Sequence, residues 1–312
     1  MLKNDIYNPL KSLKLIGLNN YFNDLIKLYD FKKFPKVLLI SGKKGTGKFT
    51  MINHFLNYFF SKDTYNLKEK EISRNSLVYQ KQLNGVFQNI IHVKNEGRES
   101  AKIDDIRKLK SLLSKSSLNN DPRFVILDDV EKLNINSSNA ILKIIEEPSE
   151  SNFFILIDNQ ENKLIETISS RCLKINIFIN KSERKEITDY LMREKNIENV
   201  LNYKNSNISP GLFLRYNYLC LEHDISSDLS YLSKLYKLLN LYKKTKDEMF
   251  INLLIFLTDE YFYTLSLNKK KQILFLSQKK IEIINQINNF VKYNLNLNSV
   301  FNSIESQFNH GE

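Results

Sequence analysis

The sequence predicts an α/β fold: a parallel sheet with helices on its faces, followed by an all-helical remainder. Three observations predict it. An apolar run, Val37 to Ile40, feeds directly into a glycine-rich turn and then a helix-like stretch. Short apolar runs alternate with amphipathic segments as far as about residue 180, at roughly 30 residues per repeat, the spacing of βαβ units. After Asn180 that alternation stops and only helical periodicity continues.

The expected strands are Lys36–Ser41, Asn89–Val93, Phe124–Asp128, Phe153–Asp158 and Leu173–Phe178. Between them, Ile103 to Leu113 places apolar residues at 103, 106, 109 and 113, the helical period. Residues 61–85 lack such a rhythm and read as an insertion or a mobile connection. Ser182 to Lys195 reads as one helix, with two or three shorter ones reaching Tyr218. Longer helices are expected at Leu229–Tyr242, Asp247–Leu265 and Lys270–Tyr293, with a last one from Asn298. Leu229, Leu232, Leu235, Tyr236, Leu239 and Tyr242 form one stripe, a core or partner-helix face rather than a cofactor site. The expected domains are therefore 1–179, 180–222 and 223–312.

Composition narrows the function classes. An apolar fraction of 42% over 312 residues is enough to build cores, which excludes a disordered chain. The apolar runs stay far below the roughly 18 residues of a membrane span, and the opening residues lack the pattern of a secretory signal. A soluble, cytoplasmic protein without membrane partners is expected. Cys172 and Cys220 are the only cysteines and the four histidines are scattered, so neither a disulfide scaffold nor a metal site is expected. The net charge of +11 suits a nucleic-acid partner. Yet only eight of the 46 basic residues are Arg, amid abundant Lys, Asn, Ile, Phe and Tyr. That set also follows from AT-rich coding, and charge alone leaves both origins open.

The chemistry is concentrated after the first strand. Gly42-Lys43-Lys44-Gly45-Thr46-Gly47-Lys48 joins an apolar strand to a helix, the setting of a phosphate loop. Glycines let backbone N–H groups turn around phosphate oxygens, the helix N-terminus adds its dipole, and Lys48 reaches the outer phosphates. One position departs: Phe49 stands where Ser or Thr would put a hydroxyl on Mg²⁺. Thr50 is displaced by about 100° around the helix and does not simply replace it. Phe124 to Leu127 then ends in Asp128 and Asp129. The first acid supports magnesium in phosphate-loop proteins. The loop points to ATP or ADP, and the hydroxyl missing at Phe49 to a weak or vestigial site with Mg²⁺ doubtful.

Downstream, Asn139 to Pro148 is a helix-like segment ending Ile145-Glu146-Glu147-Pro148, and Ser170-Arg171-Cys172 follows a further strand. Together these resemble the bacterial clamp-loader family of AAA+ proteins, over the chain from the phosphate loop to the last helices. The resemblance implies a RecA-like AAA+ parallel-sheet domain, a small helical lid domain and a C-terminal all-α collar domain. It implies partners as well: the gamma/tau and delta subunits in a hetero-oligomeric ring, and through the complex a sliding clamp and primed DNA. Arg171 would be a catalytic finger offered in trans to a neighbouring ATPase subunit, a contribution of about 10³–10⁵ in rate. Asp129 stands where hydrolysing relatives have Glu, one methylene longer, and Asn159 falls near the family's sensor position. The family's motor subunits have a lid arginine where this chain has Gly211, within Ile208-Ser-Pro-Gly211, while Arg215 lies one turn along. The cysteine-built zinc module of many relatives is missing from 61–85, so no zinc is expected. The implied role is a subunit that helps load the clamp while being a poor or inactive ATPase itself. The alternatives are an active motor-like ATPase, with Thr50 serving magnesium, and an unrelated phosphate-loop enzyme such as a nucleotide kinase.

Overall fold

The computed structural model describes residues 8–93, 103–113, 121–201 and 207–309. The chain forms two compact units, Met1–Ile197 with Asn207–Arg215, and Glu198–Ser206 with Tyr216–Glu312.

The first unit begins with α1 (Asn19–Asp30), β1 (Val37–Ser41) and α2 (Lys48–Phe60), then a hairpin of β2 (Tyr65–Asn66) and β3 (Glu71–Ile72), and α3 (Leu77–Leu83). It continues through β4 (Ile90–Val93), α4 (Ile103–Leu113), β5 (Arg123–Leu127), α5 (Ile135–Ile145), β6 (Asn152–Asp158), α6 (Glu166–Ser169), β7 (Leu173–Asn176) and α7 (Lys181–Glu194). The sheet order is β4-β5-β6-β1-β7, all parallel. This is the five-stranded parallel sheet that the sequence led us to expect, and every expected strand is present within two residues of its expected bounds.

The strands are contiguous apolar runs because both faces of a parallel sheet are covered. Leu38, Ile40, Phe124, Ile126, Ile155 and Ile157 face a core with α1 and α2. Val37, Leu39, Val125, Leu127, Phe154 and Leu156 face a second core with Ile106, Leu109, Ile141 and Ile145. The period of two thus assigns alternate residues to opposite cores. Phe34 stacks on Phe55 with centroids 5.0 Å apart, and Phe124 on Phe153 at 5.2 Å, filling the first core with rings.

Residues 61–85, read from the sequence as an insertion or a mobile connection, fold into the β2–β3 hairpin and α3. His54, buried on α2, has Nδ1 3.0 Å from the Tyr65 hydroxyl and Nε2 3.0 Å from the Ser12 carbonyl oxygen. A carbonyl can only accept, so the ring proton sits on Nε2 and Nδ1 accepts from Tyr65. Leu15 N–H donates to Lys70 O and Ile72 N–H to Leu13 O, adding the incoming chain to the hairpin.

The helix expected at Ser182 starts at Lys181 behind a capping box between Asn180 and Glu183. Residues 202–206, within the stretch expected to hold several short helices, lie outside the described residues. From Pro210 to Glu222 there is one continuous helix, α8, whose first turns belong to this unit.

The second unit packs α9 (Tyr231–Thr245), α10 (Glu248–Asn268), α11 (Ile273–Tyr293) and α12 (Leu297–Asn309) into a bundle. Here α10 lies against α9 and α11, and α12 against α9 and α11. Ser230 caps α9 by accepting from the Ser233 N–H. The buried face of α9 runs through Tyr231, Leu235, Leu238, Leu239 and Tyr242, while Tyr236 of the expected stripe is exposed. The Tyr231 hydroxyl lies 2.9 Å from Thr258 Oγ1 inside the bundle. No described helix is long and apolar enough to cross a membrane.

Candidate functional site

The loop predicted for phosphate leaves β1 at Ser41 and ends where Gly47, at φ +92, opens α2. A left-handed residue there is cheap only for glycine. Ser41 Oγ donates to Asp158 Oδ2 at 2.6 Å, and the Gly42 N–H donates to the Asp158 carbonyl at 3.1 Å, fixing the loop to the end of β6. Lys48 is buried, with its Nζ donating to Gly42 O at 2.6 Å and Lys43 O at 2.9 Å. Burial lowers its ammonium to about 8, against the opposing pull of Asp128, Glu131, Asp158 and Asp129. Thr46 Oγ1 donates to Lys43 O at 3.0 Å, and Thr50 lies half-buried on the first turn of α2.

The loop carbonyls are also bound from the other side. Ser209 Oγ donates to Lys44 O and the Gly211 N–H donates to Gly45 O at 2.9 Å, so the start of α8 is seated on the loop. The approach needs two glycines. A Cβ at Gly45 would stand 2.5 Å from Ser209 Oγ, and one at Gly211 would stand 2.8 Å from Gly45 O. Any longer side chain at 211, arginine included, would push α8 off the loop.

Across the sheet end, Asn159 joins the acid pair. Its Nδ2 donates to Asp128 Oδ1 at 3.1 Å and to Asp129 Oδ1 at 2.5 Å. Burial first, and then the neighbouring Asp129, raise the Asp128 carboxyl above its usual range. Asp129 adopts the left-handed region at φ +54, a conformation uncommon outside glycine that turns the chain toward Glu131. Glu131, buried, accepts the Asn159 N–H at 3.1 Å and is pushed up chiefly by burial. Lys44 Nζ reaches Glu161 at 2.9 Å, and Lys132 Nζ reaches the same carboxylate at 2.5 Å. Burial opposes its ionisation, yet these two ammonium groups hold Glu161 below its usual range.

Phe49 stacks on His92 of β4, with centroids 4.4 Å apart and planes 29° from parallel. The position that would supply magnesium with a hydroxyl is thus an aromatic contact. The hydroxyl position of a magnesium site is taken by Phe49, while α8 binds loop carbonyls, not the N–H groups that would receive phosphate. The residues present fit a phosphate group better than they fit a tightly held magnesium ion.

Gly42, Lys43, Lys44, Gly45, Thr46, Gly47, Lys48, Asp128, Asp129 and Asn159 therefore gather at one end of the sheet. Sequence reasoning missed Asp158, Glu131, Glu161, His92 and Ser209. Ser209 had a readable signal in its place beside Pro210-Gly211; the others are assembled by strand pairing and by the turn at Asp129. Arg171 occupies a separate corner, after α6. Cys172 packs on the second core and donates Sγ to Ile168 O at 3.0 Å, fixing the backbone beside it. The Arg171 side chain contacts Glu146, Thr167 and Ser170.

The family model described as DNA polymerase III, delta subunit, matches residues 17–180, more than half of the chain. The chain belongs to that family. Among curated relatives, the DNA polymerase III subunit delta' of Buchnera aphidicola subsp. Schizaphis graminum is 29% identical over 186 residues. The match covers 58% of this chain and 54% of that relative. The DNA polymerase III subunit tau of Bacillus subtilis is 26% identical over 167 residues, covering 54% of this chain and 29% of the relative. The chain thus spans about half or less of the curated relatives it matches. A solved structure of a DNA polymerase III, gamma subunit-related protein from Thermotoga maritima aligns at 18% identity with a TM-score of 0.45, covering 90% of this chain and 96% of that one.

Proposed function

We propose that this chain is a delta prime-like subunit of the DNA polymerase III clamp loader, a cytoplasmic scaffold that works in trans and is itself a poor or inactive ATPase. The observation that carries the reading is the stacking of Phe49 on His92, an aromatic contact where a motor site needs a hydroxyl for magnesium. The seating of Ser209 and Gly211 on the carbonyls of Lys44 and Gly45 supports the same direction, because it restrains a loop whose N–H groups would have to close around phosphate.

In this reading residues 1–179 are the AAA+ domain, 180–222 the lid and 223–312 the collar joining the gamma/tau and delta subunits. The ring so formed loads a sliding clamp onto primed DNA. Arg171 enters the neighbouring subunit's site, where its guanidinium offsets charge developing on the transferred phosphoryl. Such a role needs a cation presented at the surface from a fixed backbone, which Cys172 supplies from the core side.

The similarity to tau supports a second reading, an active motor subunit. Steady-state ATP hydrolysis by the isolated chain decides between them: turnover at motor rates would remove the scaffold reading. In the reconstituted complex, Arg171→Ala is expected to leave assembly intact and to lower DNA-stimulated hydrolysis: the seam that Arg171 serves loses about 10³–10⁵ in rate, and the other seams set the residual turnover.

A further inference from the structure

Building on the reading of Arg171 as a trans-acting finger, we propose that Glu146 parks Arg171 on its own chain until a neighbour's phosphate replaces the carboxylate. Glu146 is then the positioning residue that sets when the finger is delivered.

The contacts engage both edges through which a guanidinium grips an anion with two prongs. On one edge, Nε donates to Glu146 Oε1 at 3.0 Å and Nη2 lies 2.8 Å from the same oxygen. On the other, Nη1 donates to Thr167 O at 3.0 Å and to Ser170 Oγ at 3.4 Å. A two-pronged phosphate contact therefore requires one of these sets to open. The Glu146 set opens more readily, because the carboxylate is a side chain near solvent, whereas Thr167 O belongs to the backbone of α6.

Glu146 is well placed to hold and to release. It follows Ile145 as the C-cap of α5, with its N–H bonded to Leu142 O at 3.0 Å, so its backbone is fixed while its side chain is free to rotate. The pair is half exposed, 39% for the arginine side chain and 47% for the glutamate. A pair in that setting biases an equilibrium by no more than about fivefold, a hold that a more highly charged phosphoryl group overcomes. The same carboxylate keeps the finger turned inward when no such group is near.

The test uses the reconstituted complex containing the full chain, with ATP hydrolysis measured with and without primed DNA. Glu146→Gln, Arg171→Ala and the double variant are compared. Glu146→Gln is expected to raise the DNA-free rate about threefold to fivefold and to leave the DNA-stimulated rate within about twofold, so the stimulation ratio falls. Glu146→Asp, which keeps the charge, is expected to retain most of the ratio, and Glu146→Gln is expected to change nothing in an Arg171→Ala background. A Glu146→Gln complex that loses rate in both conditions, or keeps its ratio while Arg171→Ala is slow, overturns the parking role alone. An Arg171→Ala complex with unchanged rates overturns the finger reading and the parking role together.

Discussion

Gly211 gives its backbone N–H to the carbonyl of Gly45 at 2.9 Å, and a Cβ at position 211 would lie 2.8 Å from that same oxygen. The two glycines set how closely α8 approaches the phosphate loop. Gly211→Ala is therefore expected to destabilise the protein by about 1–3 kcal/mol, the usual cost of forcing a methyl into close packing. Better helix propensity, worth up to about 1 kcal/mol, offsets part of it. Urea unfolding midpoints would measure this. An alanine variant as stable as the parent would mean that the helix does not rest on the loop in solution.

Phe49→Thr restores a hydroxyl at the magnesium position but removes the ring that packs on His92 and the first core. Stability is expected to fall by about 1–3 kcal/mol, less than a fully buried Phe would cost because Phe49 is half-buried. Magnesium-dependent ADP affinity should rise only modestly in this variant. Combining it with Gly211→Ala should raise affinity by more than the product of the two single effects, since α8 restrains the same loop whose N–H groups would receive phosphate. Titration with a fluorescent ADP analogue, with and without Mg²⁺, checks this. A full gain from Phe49→Thr alone would show that α8 does not limit access.

The sheet was legible in the sequence because each parallel strand is buried on both faces and so spells a contiguous apolar run. The loop glycines were legible because the strand-to-helix context surrounds them. The hairpin was not. Its strands are two residues each, too short for a period, and its order comes from Ser12 and Tyr65 meeting His54. Nor was α8, whose residues Leu212, Phe213, Leu214 and Tyr216 are apolar in near succession and leave no single stripe to read. The bond from Ser209 to Lys44 joins positions 165 residues apart, and no local pattern announces it. No local pattern marks Glu131, which the left-handed turn at Asp129 brings under Asn159.

His54 makes stability depend on acid. Burial lowers its folded pKa to about 4 from an ordinary value of 6.5. Between those values the unfolded chain binds the proton and the folded one does not, so stability falls as pH drops from 6.5 to 4 and this contribution levels off below. The window of roughly 2.5 units corresponds to about 3 kcal/mol. His54→Gln keeps a donor and an acceptor but does not titrate. Unfolding free energies measured at intervals from pH 7 to 4 should show a shallower loss in the glutamine variant, by up to that amount. Parallel curves would mean that the imidazole is accessible to protons in the folded state.

Asn159 holds two carboxylates that would otherwise face each other, with one amide nitrogen bonded to Asp128 and Asp129. Asn159→Ala removes two bonds to acidic acceptors, and a loss of about 2–3 kcal/mol is expected at pH 7. The loss should itself depend on pH. Because the Asp128 carboxyl lies above its usual range, the folded chain takes up that proton before the unfolded chain does. Its protonation favours the fold at low pH, and that gain disappears as pH rises through the folded value. Without the amide, the repulsion between Asp128 and Asp129 is offset less, by Lys132 and the Asp129 N–H, so the variant's deficit should be larger at pH 7 than at pH 4.5. Asn159→Asp, which adds a third carboxylate in place of the donor, should show the same trend with a steeper slope. Equal deficits at both pH values would show that the amide contributes packing alone and that the acid pair does not repel.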